Sequence, residues 1–239
     1  MTEVDISQTL AASRSRLERA LHSAGRPSSA AALLAVSKTK PASMMREAYH
    51  HGQRDFGENY LQEALDKQEA LSDLDQLVWH FIGPLQSNKT RRIAERFDWV
   101  HSLDRLKTAR RLSEHRPADM PPLNVCIQVN VSDESSKSGV PLSELDALVA
   151  DIMVLPGLRL RGLMAIPYPT DDIAKQRQPF ALLRQALESL AARYPQAALD
   201  TLSMGMSGDL EAAISEGATW VRLGTAIFGE RPKPSVEIA

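Results

Sequence analysis

The residues able to do chemistry in this 239-residue chain stand at the ends of short apolar runs. The stretch LLAVSKTKP (33–41) runs from apolar residues straight into Ser37, Lys38, Thr39, Lys40 and Pro41. A lysine at a strand end is ordinarily a solvated surface charge. At the mouth of a site it can be desolvated, its pKa then falls, and its amine can form a Schiff base with a carbonyl. Lys40 is a second cation that would lower the pKa of Lys38 further. The stretch alone leaves both readings open.

Two later stretches have the residues of an anion site. In SMGMSGDLEAAISEGA (203–218), a strand exit passes through a glycine turn into a helix start. Ser207 reads as an N-cap, with Asp209 and Glu211 in the first turn. The stretch is either a well-capped helix or an anion cradle made from the Ser203 hydroxyl and the backbone N–H groups near Gly205 and the helix start. RLGTAIFG (222–229) repeats the arrangement. There Gly224 lets a ligand approach the backbone and Thr225 adds a hydroxyl.

His80 and His101 are candidates for bases, ligands or packing residues. Neither has a second histidine or cysteine at metal spacing, so no metal is expected. Glu58, Asp133 and Glu134 supply carboxylates without a paired pattern that specifies a reaction. No nucleophile-elbow, Walker or dinucleotide fingerprint is present.

These residues need a frame. Strand patterns fall at 32–37, 54–57, 78–82, 98–101, 123–130, 158–164, 200–204 and 220–223. Helical patterns fall between them, at 42–51, 59–71, 87–95, 104–115, 141–154, 173–193 and 207–216, with a short turn after Gly224. An amphipathic helix over 5–24 precedes the series. Strands alternating with helices imply parallel pairing through right-handed crossovers. Eight such units predict an α/β fold of the (β/α)8 TIM-barrel type with an extra N-terminal helix, and the alternative is a doubly wound open sheet. In such a barrel the chemistry sits at the C-terminal ends of the strands. Ser37, Lys38, Glu58, Asn59, His101, Asn130, Met164, Ser203, Arg222 and Thr225 all lie at or near such ends. No linker or low-complexity segment divides the chain, so 1–239 reads as a single barrel domain. The tail RPKPSVEIA (231–239) reads as a loose end.

Composition narrows the partners. With 28 basic and 30 acidic residues the formal charge is -2, which gives no reason to expect nucleic acid. No apolar run approaches a membrane span, and the N-terminus lacks the basic start and apolar core of a signal peptide. The lone cysteine, Cys126, reads as a buried strand residue and fits a reducing cytoplasm.

A closer resemblance lies in the wording of the motifs. LLAVSKTKP, FGENYLQEALDK, WHFIGPLQSNK, HSLDR, SDESSKSG, LRGLMAIP, SMGMSGDLEAAI and VRLGTAIFG occur in that order. Together they resemble the pyridoxal phosphate homeostasis family, whose barrel is similar to the N-terminal domain of bacterial alanine racemase. The resemblance covers residue 5 to about 230. It implies a fold-type III barrel that binds pyridoxal 5'-phosphate (PLP). By that resemblance Lys38 carries the cofactor as a Schiff base. Ser203, Gly224 and Thr225 hold the phosphate with Met204 and Gly205 beside them, Asn59 and His80 lie near the ring, and Arg222 faces the pyridine nitrogen. It also implies a non-catalytic PLP reservoir that supplies apo-enzymes by transient contact and affects amino-acid and keto-acid balance indirectly. The alternative is a PLP-dependent amino-acid racemase, which needs a second base; of the four tyrosines, only Tyr168 lies in a strand-exit loop. The racemase dimer relies partly on a further domain, so a monomer is expected. The loop SDESSKSG (132–139) is a candidate gate, with Lys137 either a relay amine or an ordinary surface charge.

Overall fold

The computed structural model describes residues 4–131 and 138–230. The chain enters through helix α1 (Ile6–Ser23) and a short 3-10 turn. Strands β1 (Ala32–Val36), β2 (Asp55–Glu58), β3 (Val78–Phe81), β4 (Trp99–Leu103) and β5 (Leu123–Asn130) follow, separated by helices α2 (Ala42–His50), α3 (Leu61–Ala70), α4 (Thr90–Arg96) and α5 (Leu106–His115). A two-residue strand β6 (Val140–Pro141) precedes α6 (Leu142–Met153). The series ends with β7 (Leu158–Met164), α7 (Ile173–Arg193), β8 (Thr201–Ser203), α8 (Leu210–Ser215), β9 (Trp220–Leu223) and α9 (Thr225–Phe228).

All strand pairs are parallel, and β1 pairs with both β2 and β9. Pairing between β4 and β5 closes the sheet into an eight-stranded barrel, with β6 attached outside it to β5. Closure removes the doubly wound alternative, which requires two open edges. The predicted strands and helices agree with the observed ones to within three residues at each end, and β6 is the strand that the periodicity missed. Two residues are too few to make an alternating pattern. Among the described residues no helix is long and apolar enough to cross a membrane.

Strand alternation sorts the side chains into two layers. Trp79, Phe81, Val100, Val125, Ile127, Leu202, Val221 and Leu223 point outward and join the helices in the main core. The inward positions differ from the aliphatic filling usual in such barrels. Trp99, Cys126 and Met164 form a separate internal cluster. His80 stacks on Trp99 with ring centroids 5.6 Å apart and meets the edge of Trp220 at 5.1 Å. Burial pushes the Cys126 thiol far up, so it stays protonated. Helix α1 buries Ile6, Leu10, Leu17 and Leu21. Full burial of each such side chain stabilises by about 1.5–3 kcal/mol. Thr9 Oγ1 donates to the Ile227 carbonyl at 2.6 Å and ties α1 to the end of the barrel.

Candidate functional site

The alternation of β1 answers why its strand ends on a lysine. Leu33 and Ala35 belong to the outer core. Ser37 follows them outward and donates to Glu58 Oε1 at 2.6 Å. Lys38 has the opposite parity, that of Leu34 and Val36, and lines a cavity at the barrel mouth. The cavity measures about 380 Å³ and draws its walls from the exits of β1, β2, β3, β7, β8 and β9.

Lys38, Asn59, Arg222, Gly224 and Thr225 meet there. Val36, Ile82, Met164 and Ile166 give the walls an apolar surface. Met206, Ser207 and Gly208 complete the rim. The sequence pattern offers the backbone N–H groups of this helix start to an anion but assigns Ser207 as the N-cap rather than as a cavity residue. The N-cap position belongs to Asp209, two residues later, which frees the Ser207 hydroxyl for the cavity. Asp209 Oδ1 accepts the Met206 N–H at 2.6 Å and sets that turn.

His80, Ser203, Met204 and Gly205 are not among the lining residues. Met204 is fully buried in the outer core. Gly205 has φ +96°, and a Cβ there would lie 2.6 Å from that of Ala213. It accepts the Arg222 N–H at 2.9 Å, so its role is to let the turn pack against β9. Ser203 lies behind Arg222, whose guanidinium donates to the Ser203 carbonyl at 2.6 Å, the Ser203 hydroxyl at 2.9 Å and the Ala165 carbonyl at 2.9 Å. Burial lowers the Arg222 pKa to about 10, which leaves it a cation at neutral pH.

A polar chain runs from Arg222 through the barrel interior. Ser203 Oγ lies 2.7 Å from His101 Nδ1, His101 Nε2 lies 2.9 Å from His80 Nδ1, and His80 Nε2 lies 3.1 Å from Asp55 Oδ1. Asp55 begins β2, at the end of the barrel opposite the cavity. A carboxylate only accepts and a guanidinium only donates. With neutral rings, one assignment satisfies every link: each histidine carries its proton on Nε2 and Ser203 donates to His101. Burial, then His80 and Arg222, push His101 well below the usual histidine range. His101 and His80 are thus internal linkers. Among the described residues no cluster of three metal-ligating side chains occurs.

Among the described residues, two buried oxygens, Glu58 Oε2 and Asn59 Oδ1, have no hydrogen-bond partner. That of Asn59 belongs to a residue of the cavity wall. Gly83 fixes Asn59 from behind: a Cβ on Gly83 would come within 2.1 Å of the Asn59 carbonyl oxygen. Sequence reasoning had no signal for this contact beyond the glycine itself. Lys137 and the rest of 132–137 lie outside the described residues.

Comparison with known proteins gives the family of the chain. The family model "Alanine racemase, N-terminal domain" matches residues 9–232. The pyridoxal phosphate homeostasis protein of Pseudomonas aeruginosa is 62% identical over 226 residues, covering 95% of this chain and 96% of that protein. The protein of the same name from Escherichia coli K12 is 55% identical over 229 residues, covering 95% and 97%. The structure of PipY from Synechococcus elongatus, solved with PLP bound, superposes with a TM-score of 0.83 at 40% identity, covering 94% of this chain and all (100%) of that one. Alanine racemase from Corynebacterium glutamicum shares the fold, with a TM-score of 0.71 at 20% identity over 98% of this chain and 64% of that one. With the same barrel and near-complete coverage on both sides, the chain belongs to the alanine racemase N-terminal domain family and, within it, to the pyridoxal phosphate homeostasis proteins.

Proposed function

We propose that this protein binds pyridoxal 5'-phosphate and serves as an intracellular reservoir that passes it to apo-enzymes. The whole chain, 1–239, would act as one cofactor-binding unit, as a monomer in the cytoplasm. The observation that carries this is the convergence of an amine, a buried guanidinium, two hydroxyls and an unpartnered buried acceptor on one cavity.

The residues fit the group. Lys38 offers the primary amine, and Arg222 offers a fixed donor for an aromatic ring nitrogen. Ser207 and Thr225 offer hydroxyls to a phosphate. A Cβ at Gly208 would stand in open space, so the backbone there is open to close approach. Asn59 Oδ1 awaits a donor. When bound, PLP supplies an aldehyde that condenses reversibly with an amine, and a ring that stores electrons more strongly when its nitrogen is protonated. Arg222 opposes that protonation, because a second positive charge against a buried cation is unfavourable. The chain's residues therefore hold the cofactor and do little to activate a bound amino acid.

Racemisation needs a second base facing Lys38. None of Tyr49, Tyr60, Tyr168 and Tyr194 belongs to the cavity wall, which supports the reservoir over the racemase. The test is transfer. Protein loaded with PLP and freed of excess is mixed with the apo-form of a PLP-dependent enzyme. Recovery of that enzyme's activity, matched to the PLP lost, is expected. Steady deuterium exchange at Cα of L-alanine with loss of configuration would instead establish a racemase.

A further inference from the structure

Behind the cavity wall, outside the barrel, lies a buried ion network that the proposed site does not use directly. Lys67, on α3, is 6% exposed, and Glu58 at the end of β2 is fully buried (0%). Lys67 Nζ donates to Glu58 Oε1 at 2.7 Å, Glu63 Oε1 at 2.5 Å and the Ser37 carbonyl at 2.8 Å. An ammonium has three donors, so Lys67 is saturated. The two carboxylates extend the network to the same short segment. Glu58 Oε1 accepts the Ser37 hydroxyl at 2.6 Å, and Glu63 Oε1 accepts the Thr39 N–H at 2.6 Å.

The residues on both sides of Lys38 are therefore held by one network, buried at Glu58 and Lys67 and partly exposed at Glu63. Thr39 has φ +63°, a left-handed conformation that is an outlier for a β-branched residue. Such strain persists only where the surroundings over-determine it. The next residue is fixed as well: Lys40 Nζ donates to the carbonyls of Gly229 and Glu230 at 2.8 and 2.7 Å. Ser37, Thr39 and Lys40 are thus each held from outside the cavity.

Burial of such a triad is a poor way to gain stability, since desolvation offsets most of the attraction. A positional role accounts for it better. We infer that Glu63 and Lys67, with Glu58, are positioning residues for Lys38: they clamp the backbone on both sides of it and aim its amine into the cavity. This rests on the proposed binding of PLP at that amine.

The experiment compares two ligands. Pyridoxine 5'-phosphate carries an alcohol where PLP carries an aldehyde, so it reports binding without covalent capture. Glu63 is partly exposed, and Glu63→Ala removes the acceptor for Thr39 while leaving Lys67 paired to Glu58. The expected result is covalent capture of PLP slowed roughly tenfold to a hundredfold, with pyridoxine 5'-phosphate affinity held within about threefold. Glu63→Gln keeps an acceptor oxygen and should restore most of the capture rate. The double variant Glu58→Gln with Lys67→Met removes the buried charges together, and it should behave as Glu63→Ala does. An unchanged capture rate in the folded variants would overturn the inference, and so would an equal fall in affinity for both ligands. Failure of the wild-type protein to bind either ligand would instead remove the PLP site itself.

Discussion

His101 Nδ1 lies 2.7 Å from Ser203 Oγ, and Arg222 donates to that same oxygen. One hydroxyl thus joins the guanidinium of the cavity to a histidine inside the barrel. Donor direction then follows link by link to Asp55. In uniformly 15N-labelled protein at neutral pH, His101 should appear as a neutral Nε2–H tautomer. A protonated His101 would break the assignment.

The same burial makes stability depend on pH. The His101 pKa is depressed in the folded state, so the unfolded chain binds the proton first as pH falls below about 6.5. Stability from this group is complete above that value. It declines as pH falls toward the folded-state pKa, by about 1.4 kcal/mol per pH unit. Denaturant midpoints between pH 7.5 and 5 should follow a shallower course in His101→Gln, by about one proton. An identical slope would mean that His101 accepts a proton in the folded protein.

Ser203 and the rim hydroxyls should separate cleanly. Ser203→Ala leaves His101 without its donor and should cost about 1–3 kcal/mol of stability. Thr225→Val and Ser207→Ala should leave stability nearly unchanged. They should weaken PLP by roughly tenfold or more each, the usual value of a hydrogen bond to a charged group. If Ser203→Ala instead weakened PLP at unchanged stability, Ser203 would touch the phosphate.

Much of this was legible in the sequence. Every barrel strand was visible as a short apolar run between helical patterns, since barrel strands are buried on both faces. Lys38, Asn59, Arg222, Gly224 and Thr225 were visible because each ends a strand. The resemblance put Ser203 on the phosphate and His80 near the ring, and neither residue is in the cavity wall. A buried polar link inside a barrel looks the same in sequence as a ligand at its mouth. The capping residue decides where the last turn opens, and that shift of Ser207 to Asp209 moved three residues into the cavity wall. The clamp around Lys38 was invisible, since Glu58, Glu63 and Lys67 read as ordinary helix and strand-end charges.

Gly83 gives a test of shape alone. Gly83→Ala would drive a methyl into the Asn59 backbone, with a contact of 2.1 Å that must be relieved by moving one of them. A loss of about 1–3 kcal/mol is expected from thermal or urea unfolding, together with weaker PLP binding. Unaltered affinity in folded Gly83→Ala would show that Asn59 has no part in the site.

Arg222 should set the protonation of the ring. With PLP labelled at the pyridine nitrogen and occupancy matched, wild-type protein should show an unprotonated nitrogen by NMR. Arg222→Glu should move that resonance toward the protonated form. No movement would show that Arg222 does not contact the nitrogen.

Lys38 is the amine that we propose holds PLP, and chemical reduction is the decisive test. Protein incubated with PLP should absorb at the violet edge of the visible range. Borohydride should bleach that band and fix the cofactor to the peptide containing Lys38, as read by mass spectrometry. Lys38→Ala should lose the label and keep its fold. A label on Lys40 or any other lysine, or none at all, would contradict the account.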